Sequence, residues 1–266
     1  MGIKKSHISY CLGLIRRIAY YYFLDKFLVR KCLNFLDNKY KGNKVLILIL
    51  HGGKSKERVA YLKEYYSGFL QCDFLFYADY WDLDNNVLKV SYSDEYQSNE
   101  MKHINILNIT SRFGVIGKYE SIFCVDDDTF VNIQELLKKL DGDKKWTQPN
   151  TILGEMLIQS RNTGNPFLRK HEGLCYPSGG AGYLIHNTVF AVIPRFRMYF
   201  TDYSDVSLGI NVKKSQSVIL EADSAFHSQP VDFYNLSKEN INNAVSFHYV
   251  KTREQFEFYR EQLRSL

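Results

Sequence analysis

The chain has 266 residues, of which 45% are hydrophobic, 15% aromatic and 24% charged, and a formal net charge of +5. This is globular composition, and the length suits one large domain or two small ones whose core needs no disulfide staples. Residues 1–44 carry ten Lys and Arg against Asp25 and Asp37, so the remainder holds 24 basic and 27 acidic residues and is not a basic nucleic-acid-binding body. Cys11, Cys32, Cys72, Cys124 and Cys175 are odd in number and widely spaced. They argue against a disulfide framework or zinc site and for a reducing compartment.

In chain order, residues 1–43 read as a basic, aromatic, helical extension. Arg16, Arg17, Asp25 and Lys26 interrupt its apolar stretch from Ile8 to Leu28. No run therefore reaches the roughly 18–20 residues of a membrane span, and no small-residue cleavage site marks a secretory signal. The aromatic group Tyr20–Phe23, mixed with Arg and Lys, fits an interfacial helix on an anionic membrane. It fits equally a helix packed on the domain with solvated basic residues.

Val45–Leu50 is a continuous aliphatic run, the pattern of a strand buried on both faces. A Gly-containing turn follows, then a helix over 57–69 and a second strand over 73–77 that ends at Ala78-Asp79. This order opens a Rossmann-like half. The turn spells neither a phosphate loop nor a dinucleotide fingerprint, but Lys54 and Arg58 could meet phosphate there or simply be solvated. Residues 80–98 read as a loop with a short strand at 87–92. A helix over 99–113 places Met101, Ile104 and Leu107 on one face, with Lys102 near its start.

The third strong strand, from Ser121, ends in Asp126-Asp127-Asp128. Three adjacent carboxylates repel one another unless a cation neutralises them. Carboxylate oxygens are also the ligands that Mg²⁺ and Mn²⁺ prefer when they bridge a protein to diphosphate. A helix-capping turn competes with the metal reading, since Asn132 and Glu135 have capping-box spacing before a helix over 134–140. Residues 151–154 read as a strand and 160–178 as a loop. Ser178-Gly179-Gly180-Ala181-Gly182 then allows close backbone approach to a ligand, or makes a tight turn. Asp205 precedes a helix, 218–227 read as a strand, and 246–250 as a strand with His248 at its centre. Thr252 and Gln255 fit a capping box that starts a C-terminal helix over 253–265, burying Phe256, Tyr259 and Leu263.

Four blocks in this order resemble the fringe and core 1 β1,3-galactosyltransferase-like enzymes of glycosyltransferase family 31. They are Val125–Val131, Ser178–Tyr183, Asp205–Gly209 and Ala244–Val250. The resemblance implies a GT-A fold, α/β with a Rossmann-like mixed central sheet flanked by helices, in a single catalytic domain over 44–266. It implies Mn²⁺ (or Mg²⁺) bound by Asp128 and His248 with Asp126, and a UDP-sugar donor against Asp126, Asp127, Gly179, Gly180 and Ala181. Asp205 matches the general base of an inverting enzyme, with Asp202 as the fallback. Lys102 matches a Lys of related enzymes, and Lys54, Arg58 and Asp79 complete the candidate donor site. The expected reaction moves galactose or an N-acetylhexosamine to a glycan or glycolipid hydroxyl as a β1,3 linkage. The paired cysteines and anchor of Golgi members are missing, which points to a cytoplasmic enzyme with residues 1–40 on the inner membrane surface, in surface polysaccharide or lipid-linked oligosaccharide synthesis. A catalytically silent binding module and a sugar nucleotidyltransferase are the competing readings.

Overall fold

The protein is described by a computed structural model over residues 42–52, 56–91, 93–160, 166–234 and 236–264. In chain order its strands are β1 (Val45–Leu50), β2 (Cys72–Ala78), β3 (Val87–Lys89), β4 (Ser121–Asp126), β5 (Phe130–Val131) and β6 (Thr151–Gly154), followed by β7 (Met156–Ile158), β8 (Cys175–Pro177), β9 (Tyr183–His186), β10 (Ile219–Ala222), β11 (Phe226–His227) and β12 (Ser246–Phe247). The longer helices are α1 (Lys56–Tyr66), α2 (Asn99–Arg112), α3 (Ile133–Gly142), α4 (Ser204–Ser215) and α5 (Arg253–Arg264).

All six residues of β1 are buried, as a strand covered on both faces requires. It lies inside a seven-stranded sheet of order β10-β6-β9-β4-β1-β2-β3. The pairs β1–β2, β1–β4, β2–β3 and β6–β10 are parallel, whereas β9 runs antiparallel to both β4 and β6. This is the mixed central sheet expected of a GT-A fold. Because β1, β2 and β4 are parallel and Leu50 aligns with both Tyr77 and Asp126, their carboxyl ends share one edge. Ligands of open α/β sheets bind at such an edge. Since β9 is antiparallel, its amino end, and the small-residue loop before it, lies beside the carboxyl end of β4.

A second sheet, β11-β12-β5, connects the two halves of the site. Phe247 of β12 pairs antiparallel with Phe130, and the Val250 amide donates to the Asp128 carbonyl at 2.8 Å. That pairing brings His248 to the acidic triplet across 120 positions of sequence. Behind it, α5 packs Phe256 and Tyr259 against Phe130, Tyr65 and Phe247, with ring centroids 5.1–5.3 Å apart. These five rings support the sheet whose strand β12 leads into His248.

Local signals explain most boundaries and several differences. Asn132 caps α3 by accepting from the Glu135 amide, and Thr252 and Gln255 form the reciprocal box that starts α5. The expected helix over 57–69 ends at Tyr66, where the Gly68 amide turns back to the Tyr65 carbonyl. The expected strand over 218–227 is two strands, because Asp223 accepts from the Ala225 amide and turns the chain between them. The strand expected over 246–250 stops at Phe247, and Tyr249 takes a left-handed φ of 64°. Within the loop expected over 160–178 lie a short helix, Pro166–Arg169, and β8, which pairs antiparallel with β7 just before that loop. No described helix is long and apolar enough to cross a membrane. The extension over 1–41, Lys54, Tyr92 and the last residue of the expected C-terminal helix lie outside the described residues.

Candidate active site

At the carboxyl end of β4 the chain leaves the sheet, and Asp126, Asp128 and His248 each bring one ligand atom within 4.8 Å of the others. His248 Nε2 stands 3.1 Å from Asp128 Oδ1. Burial raises the Asp128 pKa, but the hydrogen bond and charge of His248, helped by Arg58 and Lys251, outweigh it and hold the carboxyl below its ordinary value. Burial works to lower His248, and the bond and charge of Asp128, then Asp126, raise it instead. Burial pushes Asp126 up to about 8, with Asp128 adding and His248 opposing. Two carboxylates and an imidazole crowded at this spacing, one carboxylate held protonated near neutral pH, fit a divalent cation that would replace the protons. The mixed oxygen and nitrogen donors suit Mn²⁺ better than Mg²⁺.

The middle carboxylate is placed differently. Asp127 Oδ2 meets His51 Nδ1 at 2.5 Å, and Oδ1 accepts from Arg58 at 2.9 Å. Both its oxygens are therefore engaged by β1 and α1, which fixes the turn between its neighbours. Arg58 also donates to the Lys251 carbonyl at 3.2 Å, tying this turn to the segment after His248. Asp79 follows β2 on the same edge, and Lys102 is wholly buried in α2. Burial lowers the Lys102 pKa against the opposing charges of Asp79, Asp94 and Asp127. Asp79 Oδ1, Lys102 Nζ and His51 Nε2 are all buried without a hydrogen-bond partner among the described residues. Buried polar atoms are seldom left unpaired, and a bound water, ion or ligand is among the partners that satisfy them.

The small-residue loop faces both parts of the site. A Cβ on Gly180 would lie 2.3 Å from His248 Nδ1, so only glycine leaves room for that imidazole. Gly182 has a φ of 75°, and a Cβ there would lie 3.1 Å from the Phe123 ring and from the Cys124 carbonyl oxygen. Thr129 donates to the Gly180 carbonyl at 2.7 Å and Ser246 to the Ala181 carbonyl at 2.5 Å. The Gly179 amide donates to Asp205 Oδ2 at 3.3 Å, so one residue of the loop touches the carboxylate while its neighbour touches His248.

Asp205 lies in the first turn of α4, where free amides favour an anion. Burial raises its pKa, and the amides of Val206 and Gly179 partly oppose that. Asp202, the fallback, has a φ of 66° and its amide donates to Glu100. Glu100 of α2 is the anchor of this region. One oxygen accepts from the Tyr199 and Phe200 amides at 2.7 and 2.8 Å and from the Ser207 hydroxyl, and the other from the Asp202 amide at 3.0 Å. Burial raises the Glu100 pKa despite these donors.

The structure thus brings Asp126, Asp128, His248, Gly179, Gly180, Ala181 and Asp205 together. It sets Asp127 and Asp79 at neighbouring strand ends, with Arg58 of α1 bonded to Asp127 and Lys102 of α2 within reach of the charges of both. Reasoning from sequence missed His51 and Glu100. His51 follows the most buried strand, and Glu100 interrupts a helix face that also buries Met101 and Ile104; either position could have been singled out on that ground. A family model described as Fringe-like matches residues 54–260, most of the chain. A search of curated proteins finds no match.

Proposed function

The chain belongs to the Fringe-like family of glycosyltransferases, and we propose that it is an inverting, metal-dependent enzyme moving galactose or an N-acetylhexosamine from a UDP-sugar to a glycan hydroxyl as a β1,3 linkage. The observation that carries this reading is the convergence of Asp126, Asp128 and His248 with Asp205 across a two-glycine loop.

Asp128, His248 and Asp126 would hold Mn²⁺, which when bound neutralises the developing charge of a diphosphate leaving group. His51 and Arg58 hold Asp127 and keep the acidic turn in shape. The unpartnered atoms of His51, Asp79 and Lys102 support a polar donor at the ends of β1 and β2. Lys54, which lies outside the described residues, is assigned to the same donor from its place in the sequence. Gly179–Gly182 let the donor sugar lie against backbone. Asp205 takes the proton of the attacking acceptor hydroxyl; its raised pKa suits a base that must be ionised yet still attract a proton. The acceptor is assigned to surface polysaccharide or lipid-linked oligosaccharide synthesis on the cytoplasmic face of an anionic membrane, from the basic excess in residues 1–44. Unchanged membrane association after deletion of residues 1–40 would remove that placement.

The test is hydrolysis and transfer with UDP-Gal, UDP-GlcNAc, UDP-Glc and UDP-GalNAc in Mn²⁺. Turnover of at least one donor is expected, abolished by Asp128→Ala and by EDTA. Full wild-type turnover in EDTA overturns the metal role, and no turnover of any donor returns the chain to a silent binding module.

A further inference from the structure

Three exposed tyrosines, Tyr96 and Tyr203 near Asp205 and Tyr249 beside His248, have no part in the chemistry above. Tyr96 stands in a short 3-10 turn before α2 and is 61% exposed, while Tyr203, immediately before α4, and Tyr249, immediately after His248, are each 42% exposed. They come from three separate segments. The Tyr96 and Tyr203 rings meet edge to face, with centroids 6.0 Å apart and planes at 76°. Tyr249 stacks on the His248 ring at 4.0 Å, with the Lys251 ammonium 5.1 Å from its centroid. It does so with a left-handed φ of 64°. A non-glycine side chain held in that conformation while nearly half exposed is the kind of local strain that collects at binding sites.

Their mutual proximity also shows in their chemistry. Partial burial pushes the Tyr96 phenol up to about 12, with Asp205, Tyr203, Asp126 and Tyr249 adding to the rise. Tyr96 is therefore a neutral hydrogen-bond donor at neutral pH. Half-buried Tyr176 is likewise pushed up to about 12 by burial, with Asp205 and Tyr203 adding.

Resting on the transferase reading, we propose that Tyr96 and Tyr203, bordered by Tyr249, form the platform on which the terminal pyranose ring of a glycan acceptor stacks, with one hydroxyl directed at Asp205. A pyranose has an apolar C–H face and a polar rim. Tyrosine matches both with its ring face and its phenol. Exposed aromatic rings that meet from separate segments near a functional carboxylate mark a recognition surface rather than ordinary protein exterior. A lipid headgroup fits poorly here, since its phosphate would meet Asp126 and Asp205. An acyl chain would have to lie against the phenols and the same carboxylates.

The test is saturation-transfer NMR on the full chain with methyl galactoside, methyl glucoside and the methyl glycosides of N-acetylgalactosamine and N-acetylglucosamine. Saturation of ring C–H protons of at least one pyranoside is expected, reduced at least fivefold in Tyr96→Ala and in Tyr203→Ala and kept in Tyr96→Phe. Because both side chains are exposed, the alanine variants should keep the wild-type circular dichroism. No saturation of any pyranoside, or undiminished saturation in the double alanine variant, overturns the platform. The readout needs no turnover. Tyrosine-dependent saturation without UDP-sugar hydrolysis would overturn the transferase reading while leaving a glycan-binding surface.

Discussion

Gly180 is the most constrained single position in the site, because the space its side chain would fill is occupied by the His248 ring. Gly180→Ala forces that ring or the loop to move, an overpacking cost of about 1–3 kcal/mol. Mn²⁺ affinity, read by calorimetric titration, is expected to fall at least tenfold. Gly117→Ala, where nothing lies within 4 Å, serves as the neutral control. At Asp205 the expectation concerns rate. Asp205→Asn keeps the shape and removes the proton acceptor, so kcat should fall about 10²–10⁴-fold. Because burial raises the Asp205 pKa, the acid limb of the wild-type kcat/KM profile should lie above the ordinary carboxylate range. A limb at the ordinary value would count against Asp205 as the base.

At the scale of elements, the site depends on α2 and α4 being fastened together. Glu100 makes that fastening with one buried carboxylate that accepts three backbone amides and a hydroxyl. Glu100→Ala leaves those donors buried and unpaired, which should destabilise the protein by about 3–5 kcal/mol in urea unfolding. Glu100→Gln keeps the volume but turns an amide group towards an amide donor, so an intermediate loss is expected. In the folded fraction of either variant kcat should fall more than the donor KM rises, since the fastened segment leads into the helix bearing Asp205. The other element on which the site leans is α5. Phe256→Ala opens the aromatic cluster behind β12 and should cost about 3–5 kcal/mol.

For the whole molecule, the crowded anions set how stability changes with pH. Asp126 titrates near 8 in the folded chain against an ordinary 3.8, so between those values the folded state binds a proton that the unfolded state has released. That stability is present at low pH and is lost as pH rises from about 4 to 8. His248, raised above 6.5, acts in the same sense, its contribution lost as pH rises through its folded pKa. Asp128, lowered below 3.8, acts oppositely, and its contribution is lost only when pH falls through its depressed value. A cation that takes the place of the Asp126 and His248 protons binds better as pH rises. Saturating Mn²⁺ should therefore raise the melting temperature more at pH 7.5 than at pH 5.5, and the rise should vanish in Asp128→Ala. An equal rise at both pH values would argue that these protons are not displaced.

The sequence by itself determined the elements whose signals are local. The aliphatic run of β1, the capping boxes at Asn132 and Thr252, and the small-residue turn at Gly179–Gly182 each depend on neighbours a few positions away. They sufficed for a mixed α/β fold and for the residues of the acidic triplet. Local signals leave open which of those residues meet; the family resemblance implied it for Asp126, Asp128 and His248, and the tertiary structure supplies the pairing that brings them together. His248 reaches Asp128 only because β12 pairs with β5, a strand of two residues too short to carry a periodic signal. Asp127 is drawn away from its neighbours by His51 and Arg58, which belong to β1's end and to α1. Glu100 reads in sequence as a polar residue at a helix start, yet it is buried, because four donors that satisfy it arrive from a segment a hundred residues later. The physical reason is common to all three. A hydrogen bond or ion pair depends on distance in space, and no spacing along the chain encodes the strand order that sets that distance.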